Sequence, residues 1–263
     1  MLALKLFLVP VLLALITLAG RRWGPAIAGW LAGFPVLAGP ILLLIALEQG
    51  APFAVSAAGG SLLSVPAILC FCLGYAWAAI RLPWWLSLPL GLACYVATAA
   101  ALMAAALPNA AVFVLTLVAL ALALVLPAFP RNGRFHPVRP ASPAELPLRM
   151  LAAALLVLMI TFFASHLGPR LSGLLSTVPL LSSLLAVFTH ALSGPGAAIG
   201  LLRGMVIGFY ALSTFAFALA FTLPIWGTAG GFLAALACAM LVHLATLLPR
   251  SAALKEEQSL GAE

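Results

Sequence analysis

Apolar stretches of about 20 residues recur almost from end to end of this chain, separated by short clusters of polar residues, glycine and proline. A helix of that length, rising about 1.5 Å per residue, crosses the hydrocarbon core of a bilayer. The pattern predicts nine transmembrane helices, at 2–19, 25–48, 52–80, 84–106, 110–128, 147–165, 169–192, 197–222 and 225–248. The expected fold class is therefore an all-α polytopic membrane protein. Its first helix resembles a secretory signal, but Arg21 and Arg22 stand where a cleavage region would, so a retained helix is expected.

Within the second predicted helix the stretch GPAIAGWLAGFPVLAGP, residues 24–40, holds three prolines and four glycines. These are the poorest residues for a helix interior, and lipid offers no water to replace a lost backbone partner. A counterpart, GPRLSGLLSTVPLLSSL, lies 144 residues later. Gly24, Pro25, Gly29 and Pro35 match Gly168, Pro169, Gly173 and Pro179, and at the same offset Gly50 meets Gly194 and Gly60 meets Gly204. After a shift of three, LPWW at 82–85 resembles LPIW at 223–226. An internal repeat is expected, with helices one to four and six to nine as copies and helix five as a connector. Corresponding helices are five spans apart, an odd number, so the second copy is expected to enter the membrane from the opposite side.

The expected organisation is a first four-helix repeat at 1–108, a connecting helix at 109–128, a cytoplasmic linker at 129–146, a second, inverted repeat at 147–249 and a cytoplasmic tail at 250–263. Composition agrees: 65% of residues are hydrophobic and only 6% charged. With nine spans and a periplasmic N-terminus, nine basic residues fall on the cytoplasmic side (Arg21, Arg22, Arg81, Arg131, Arg134, Arg139, Arg149, Arg250, Lys255) against two outside, Lys5 and Arg170. The net charge of +7 thus reads as a topology signal and an attraction to anionic headgroups, not as a nucleic-acid surface. Cys70, Cys72, Cys94 and Cys238 all fall in apolar spans and lack metal-site spacing; packing is expected, with no metal and no cofactor.

Candidate chemistry centres on the breaks. Pro35 and Pro179 each lack an N–H, and should leave the carbonyls of Leu31 and Leu175 without their helical donors; Pro40 should do the same to Val36. Gly33 and Gly39, with Ser176, Thr177, Ser182 and Ser183, surround these breaks, and the expected solute site is Gly33, Pro35, Gly39, Pro40, Ser176, Thr177, Pro179, Ser182, Ser183 and Arg203. Proline-kinked helices crossing through small residues are the packing alternative. Arg203 faces inward, with Thr189 and His190, if it holds an anion, and snorkels outward otherwise. Glu48 and His190 are the candidates for coupling. The other histidines, His136, His166 and His243, are expected to be structural. Tyr75, Tyr95, Tyr210, Ser213 and Thr214 are expected to bond neighbouring helices. There is no aspartate for a Ser-His-Asp triad, and no H-E-x-x-H or phosphate loop, so no enzyme is expected.

At Ala28, Gly29, Phe34 and Pro35, an A-G-x-x-x-x-F-P motif followed by a helix ending in Gly50, the chain resembles the small four-helix bacterial inner-membrane proteins of the GlpM type. The likeness covers about one repeat unit, and the second half has Val178 in place of the phenylalanine. The resemblance implies a bacterial inner-membrane location and an association with exopolysaccharide production. The inverted repeat and its paired breaks, rather than this resemblance, lead to the expectation of a secondary-transporter-like protein moving a small solute, anionic solutes included, by alternating access around broken helices two and seven. The alternative is a non-transporting scaffold or accessory factor for envelope polysaccharide production. The expected partners are the lipid bilayer, a small solute and a further copy of the chain, and no nucleic acid.

Overall fold

The computed structural model describes residues 2–126, 128–130, 150–151, 155 and 179–247, with side chains from residue 10 onward. Seven helices account for nearly all of the described residues: α1 (Leu2–Trp23), α2 (Pro25–Ala32), α3 (Ala38–Gln49), α4 (Ala51–Ala79), α5 (Trp84–Ala105), α6 (Asn109–Val125) and α7 (Leu180–Ala245). Among them α4, α5 and α7 are long and apolar enough to cross a membrane, the lengths and composition of a membrane protein. Most of the span predicted at 147–165, most of the linker, the start of the predicted second copy of the break at 168–178 and the predicted tail at 250–263 lie outside the described residues.

Glycine sets the corners. Gly24, Gly50, Gly194 and Gly227 all have φ between 66° and 92° with ψ near 180°, a region that a side chain excludes. Each is a single non-helical residue between two helical runs, and proline follows within two residues at the first three, where a missing N–H is harmless. The predicted loops around residues 194 and 224 thus shrink to one residue apiece, and α7 is three consecutive helical segments divided at Gly194 and Gly227. The chain doubles back at Gly24 and Gly227. Thr222 Oγ1 donates to Gly231 O at 3.0 Å across Gly227, and a Cβ on Gly20 would lie 3.0 Å from the Ala28 Cβ across Gly24.

Proline alone does not end a helix here. Pro10, Pro66 and Pro89 lie inside α1, α4 and α5, which continue through them. The predicted second span does break, between Ala32 and Ala38, where Gly33 and Pro35 combine a poor helix former with a missing donor. Pro40 behaves differently from its expectation. It falls in the first turn of α3, where no donor is needed, and makes no break of its own.

Contacts near the helix ends sort the corners onto two sides. Tyr75, close to the end of α4, meets His190, just before Gly194. Trp77 Nε1 donates to Ala128 O beyond α6 at 2.7 Å, and Trp30 Nε1 to Thr246 Oγ1 beyond α7 at 2.9 Å. On the opposite side Asn109, at the start of α6, rests on Gly59 near the start of α4, and Phe113 stacks on Phe217 with ring centroids 4.2 Å apart. Gly50 opens α4 and Gly194 lies by its far end, so α4, roughly 40 Å long at 1.5 Å per residue, separates the two corners.

The core follows from where α4 and α7 run. Both are buried along much of their length, and their Leu62, Phe71, Tyr75, Leu202, Met205 and Phe215 are at most 1% exposed. By contrast, α5 and α6 bury only a single stripe each, Ser87, Gly91, Tyr95 and Ala99 on the one and Val112, Thr116, Leu120 and Ala123 on the other. The spacing of about four residues is that of a helix with one face on protein and the rest on lipid.

Candidate functional site

The interruption between α2 and α3 closes most of its own backbone bonds. Gly33 N–H is shared between Gly29 O at 3.0 Å and Trp30 O at 3.2 Å, and Phe34 N–H donates to Leu31 O at 3.2 Å. The carbonyl that Pro35 deprives of a donor, Leu31, is therefore taken up by a tightened turn. Val36 N–H reaches Phe34 O at 2.7 Å, and Gly39 N–H returns to Pro35 O at 2.8 Å to begin α3.

One face of α2 has no side chains where it meets α7. A Cβ on Gly33 would lie 2.6 Å from Gly208 Cα and from Met205 O, so nothing fits between the two backbones. Gly29 meets the carbonyl of Leu201 even more closely, Gly204 that of Ala26, and Gly208 that of Trp30. Gly29 on α2 and Gly33 just past its end, with Gly204 and Gly208 on α7, form a Gly-x-x-x-Gly crossing from both sides. The spacing of four is visible in the sequence, but spacing alone does not tell a glycine that lines a site from one that seals a crossing. Gly33 is packed on backbone.

The remaining expected residues fall into three groups. Pro35 is buried in the interruption, Pro40 is half-buried at the start of α3, and Gly39 faces Phe215, whose ring would lie 3.8 Å from an added Cβ. Pro179 caps α7, and Ser182, Ser183, Thr189 and His190 are buried along its first segment. Ser183 Oγ has no hydrogen-bond partner among the described residues. His190 Nδ1 lies 3.2 Å from Tyr75 Oη, joining this segment to α4 through two buried polar groups. Arg203 and Glu48 form the third group. Both are exposed, so Arg203 does not share the buried surroundings of Thr189 and His190. Ser176 and Thr177 lie outside the described residues.

Of the hydroxyls expected to bond neighbouring helices, Tyr75 does so. Ser213 and Thr214 instead donate to carbonyls four residues back on their own helix, Phe209 O at 2.7 Å and Tyr210 O at 2.8 Å. That arrangement satisfies a hydroxyl in lipid without tying two helices together.

A second cluster lies outside the residues that the sequence singles out. His243 is 4% exposed, stacks on Trp30 with ring centroids 3.7 Å apart and planes 10° from parallel, and has Phe34 at 4.9 Å. Among the described residues neither of its ring nitrogens has a partner. It forms part of the wall of a cavity of about 330 Å³ beside the interruption, together with Leu12 and Ile16 of α1, Leu31, Val36 and Met240. The signal for it is the series Gly231, Ala235, Ala239 and His243, four residues apart and all buried. Its small members let the last segment of α7 sit close, and the same face carries the imidazole inward. Among the described residues no cluster of histidine, cysteine or carboxylate side chains could hold a metal ion. No family model, no curated protein and no solved structure matches this chain.

Proposed function

We propose that the chain is a transporter-like protein of the bacterial inner membrane, with nine spans, a periplasmic N-terminus and a cytoplasmic C-terminus, built as two inverted four-helix repeats. The observation that carries this reading is the pair Gly50 and Gly194. They are 144 residues apart, share one backbone conformation (φ 85°, ψ 167° and φ 85°, ψ 173°), and sit at opposite ends of α4. Each also closes a short helix that starts shortly after a proline, 12 residues in α3 and 14 in the stretch 180–193. One unit used twice in opposite orientation accounts for all three features, and the common use of such architecture is alternating access about a central site.

The solute path then runs along the buried polar face of 180–193, past Ser182, Ser183 and the His190–Tyr75 pair, toward the interruption at Gly33–Leu37. The solute is small and polar. Among the described residues this face carries no lysine or arginine, since Arg203 is exposed, so an anion has no fixed partner among these side chains.

The glycine crossing favours a second reading, a scaffold that serves envelope polysaccharide production and transports nothing. A seam with no space at Gly29, Gly33, Gly204 and Gly208 is what tight helix packing requires, and it joins the two proposed repeats rigidly. Thiol access separates the readings. With Cys70, Cys72, Cys94 and Cys238 replaced, a Ser183→Cys protein should react with a membrane-impermeant reagent if the path is hydrated. Silence from both sides, with native folding, would leave the scaffold.

A further inference from the structure

Burial along the chain recurs at the same interval as the glycines. Ten of the twelve buried residues of α4 have a buried counterpart 144 positions on in α7, Pro66 and Ala76 being the exceptions. Phe71 and Phe215 are a matched pair of fully buried rings at that offset. The single stripe of α5, Ser87, Gly91, Tyr95 and Ala99, falls in the same way on Gly231, Ala235, Ala239 and His243. Corresponding helix faces are therefore turned inward in the two halves of the chain.

The reverse comparison, taken from residue 200 to the Gly227 corner, fails at one face alone. Leu201, Gly204, Met205 and Gly208 are buried, whereas Ala57, Gly60, Ser61 and Ser64 of α4 are half-buried or exposed. The four buried residues are those that meet α2 and the turn after it: a Cβ on Gly29 would run into Leu201 and Met205, one on Gly204 into Ala26, and one on Gly208 into Trp30 and Gly33. Among the described residues nothing covers α4 in this way. No described atom lies within 4 Å of a Cβ built on Gly60, and Ser61 and Ser64 donate to carbonyls of their own helix, Ala57 O at 3.0 Å and Ser61 O at 2.7 Å. Such a face offers bare backbone for a close crossing and no unpaired hydroxyl donor for a solute.

We propose that residues 169–176 lie across this face of α4, as α2 lies across α7. The proposal rests on the two-repeat reading and adds to it the occupant of the open face. The stretch PRLSGLLS is α2 displaced by 144 positions, with Pro169 for Pro25 and Gly173 for Gly29. By the contacts of α2, Gly173 meets Ala57 and Ser61, and Gly60 meets Arg170. The chain leads there as well, because the helical run that follows Pro179, the counterpart of Pro35, already meets α4 through His190 and Tyr75. One level differs. Thr177 and Ser64 stand where Gly33 and Gly208 touch, so two hydroxyl side chains replace a backbone contact and hold the second crossing wider.

The test uses the full chain with Cys70, Cys72, Cys94 and Cys238 replaced. Ser61→Cys paired with Arg170→Cys or Leu174→Cys should cross-link within one chain under a short bismaleimide, as should the counterpart pairs, Met205→Cys with Ala26→Cys or Trp30→Cys. Gly60→Ala, which helix propensity alone would favour, should instead lower the unfolding temperature. The cross-links leave Gly60 unchanged, and decide the matter if that variant fails to fold. Adducts between two chains would assign the face to a second copy, and no adduct together with an unchanged or raised unfolding temperature would leave it to lipid; either result overturns the proposal. Trp23→Cys and Leu167→Cys, probed with a membrane-impermeant thiol reagent, separate it from the reading beneath it. Labelling from opposite sides without a cross-link within the chain removes the seat on α4 alone, whereas labelling from the same side removes the inverted repeats and the seat with them.

Discussion

The two faces of α2 and of the two residues that follow it solve the same packing problem in opposite ways. On one, Gly29 and Gly33 offer bare backbone to α7, and the helices approach until no side chain could stand between them. On the other, Trp30 and Phe34 present large rings to His243, and the mismatch of shapes leaves a cavity and two unpartnered nitrogens. Between helices in lipid there is little hydrophobic drive, so contact distance and polar matching decide stability. The first face is built for rigidity. The second leaves buried polar atoms that the described residues do not match.

The largest effect is expected at the sealed face. Gly204→Val places a branched side chain against the Ala26 carbonyl, and neither helix backbone can yield without opening the whole crossing. Overpacking typically costs about 1–3 kcal/mol, and here the upper end or more is expected. Thermal unfolding in detergent measures it. Gly200→Ala, one turn away on the same helix with open space around it, should be neutral or gain up to about 1 kcal/mol of helix propensity. Equal effects at the two sites would remove the distinction between seam and surface.

The open face gives two changes of opposite sign at one position. His243→Ala removes the ring that stacks on Trp30 and enlarges the cavity, for a loss of about 2–4 kcal/mol by analogy with other large-to-small core changes. His243→Phe keeps a stacking ring and removes two buried nitrogens without partners, whose burial costs about 1–3 kcal/mol. Its unfolding temperature should therefore rise. A fall in both variants would mean that the nitrogens are satisfied in the folded protein.

Both faces lay partly within reach of the sequence. The interruption could be read because Gly33 and Pro35 act together, whereas Pro66, with no glycine near it, sits inside a continuous helix; Pro89 is tolerated as well, with Gly91 following it rather than preceding it. Pro40 could not be placed without knowing that α3 starts two residues before it, since the same residue is disruptive in a helix interior and harmless in a first turn. The corners at Gly50 and Gly194 were marked by glycine, although their reduction to a single residue depends on φ and ψ. The cavity was hidden for a different reason. His243 looks like a helix-end residue, and only the buried series from Gly231 shows that it points inward. Arg203 illustrates the converse, because its depth in the chain says nothing about which side of the helix it occupies.

The paired corners allow a sharper test of the repeat. Gly50→Ala and Gly194→Ala each force a Cβ into a conformation costing about 1–3 kcal/mol, and at Gly50 no crowding would mask it, since an added Cβ would meet only Pro52, at 3.9 Å. Similar losses at the two positions, read by thermal unfolding, fit one unit used twice. A loss at one alone would show that the shared angles are coincidental.

The smallest effect belongs to Arg203, which sits beside Gly204 in sequence yet about 100° round the helix from it. Its neighbours Leu202 and Gly204 are buried in the crossing while Arg203 itself is exposed, so its guanidinium extends along the outside of the protein, where long cationic side chains reach toward headgroups. Arg203→Gln should shift stability by no more than about 0.5 kcal/mol, the usual range for surface changes. Solute flux, once a solute is found, should be untouched, because the polar face of 180–193 lies elsewhere. A collapse of flux with intact folding would instead put Arg203 on the solute path, and would require α7 to turn that side inward in another state of the protein.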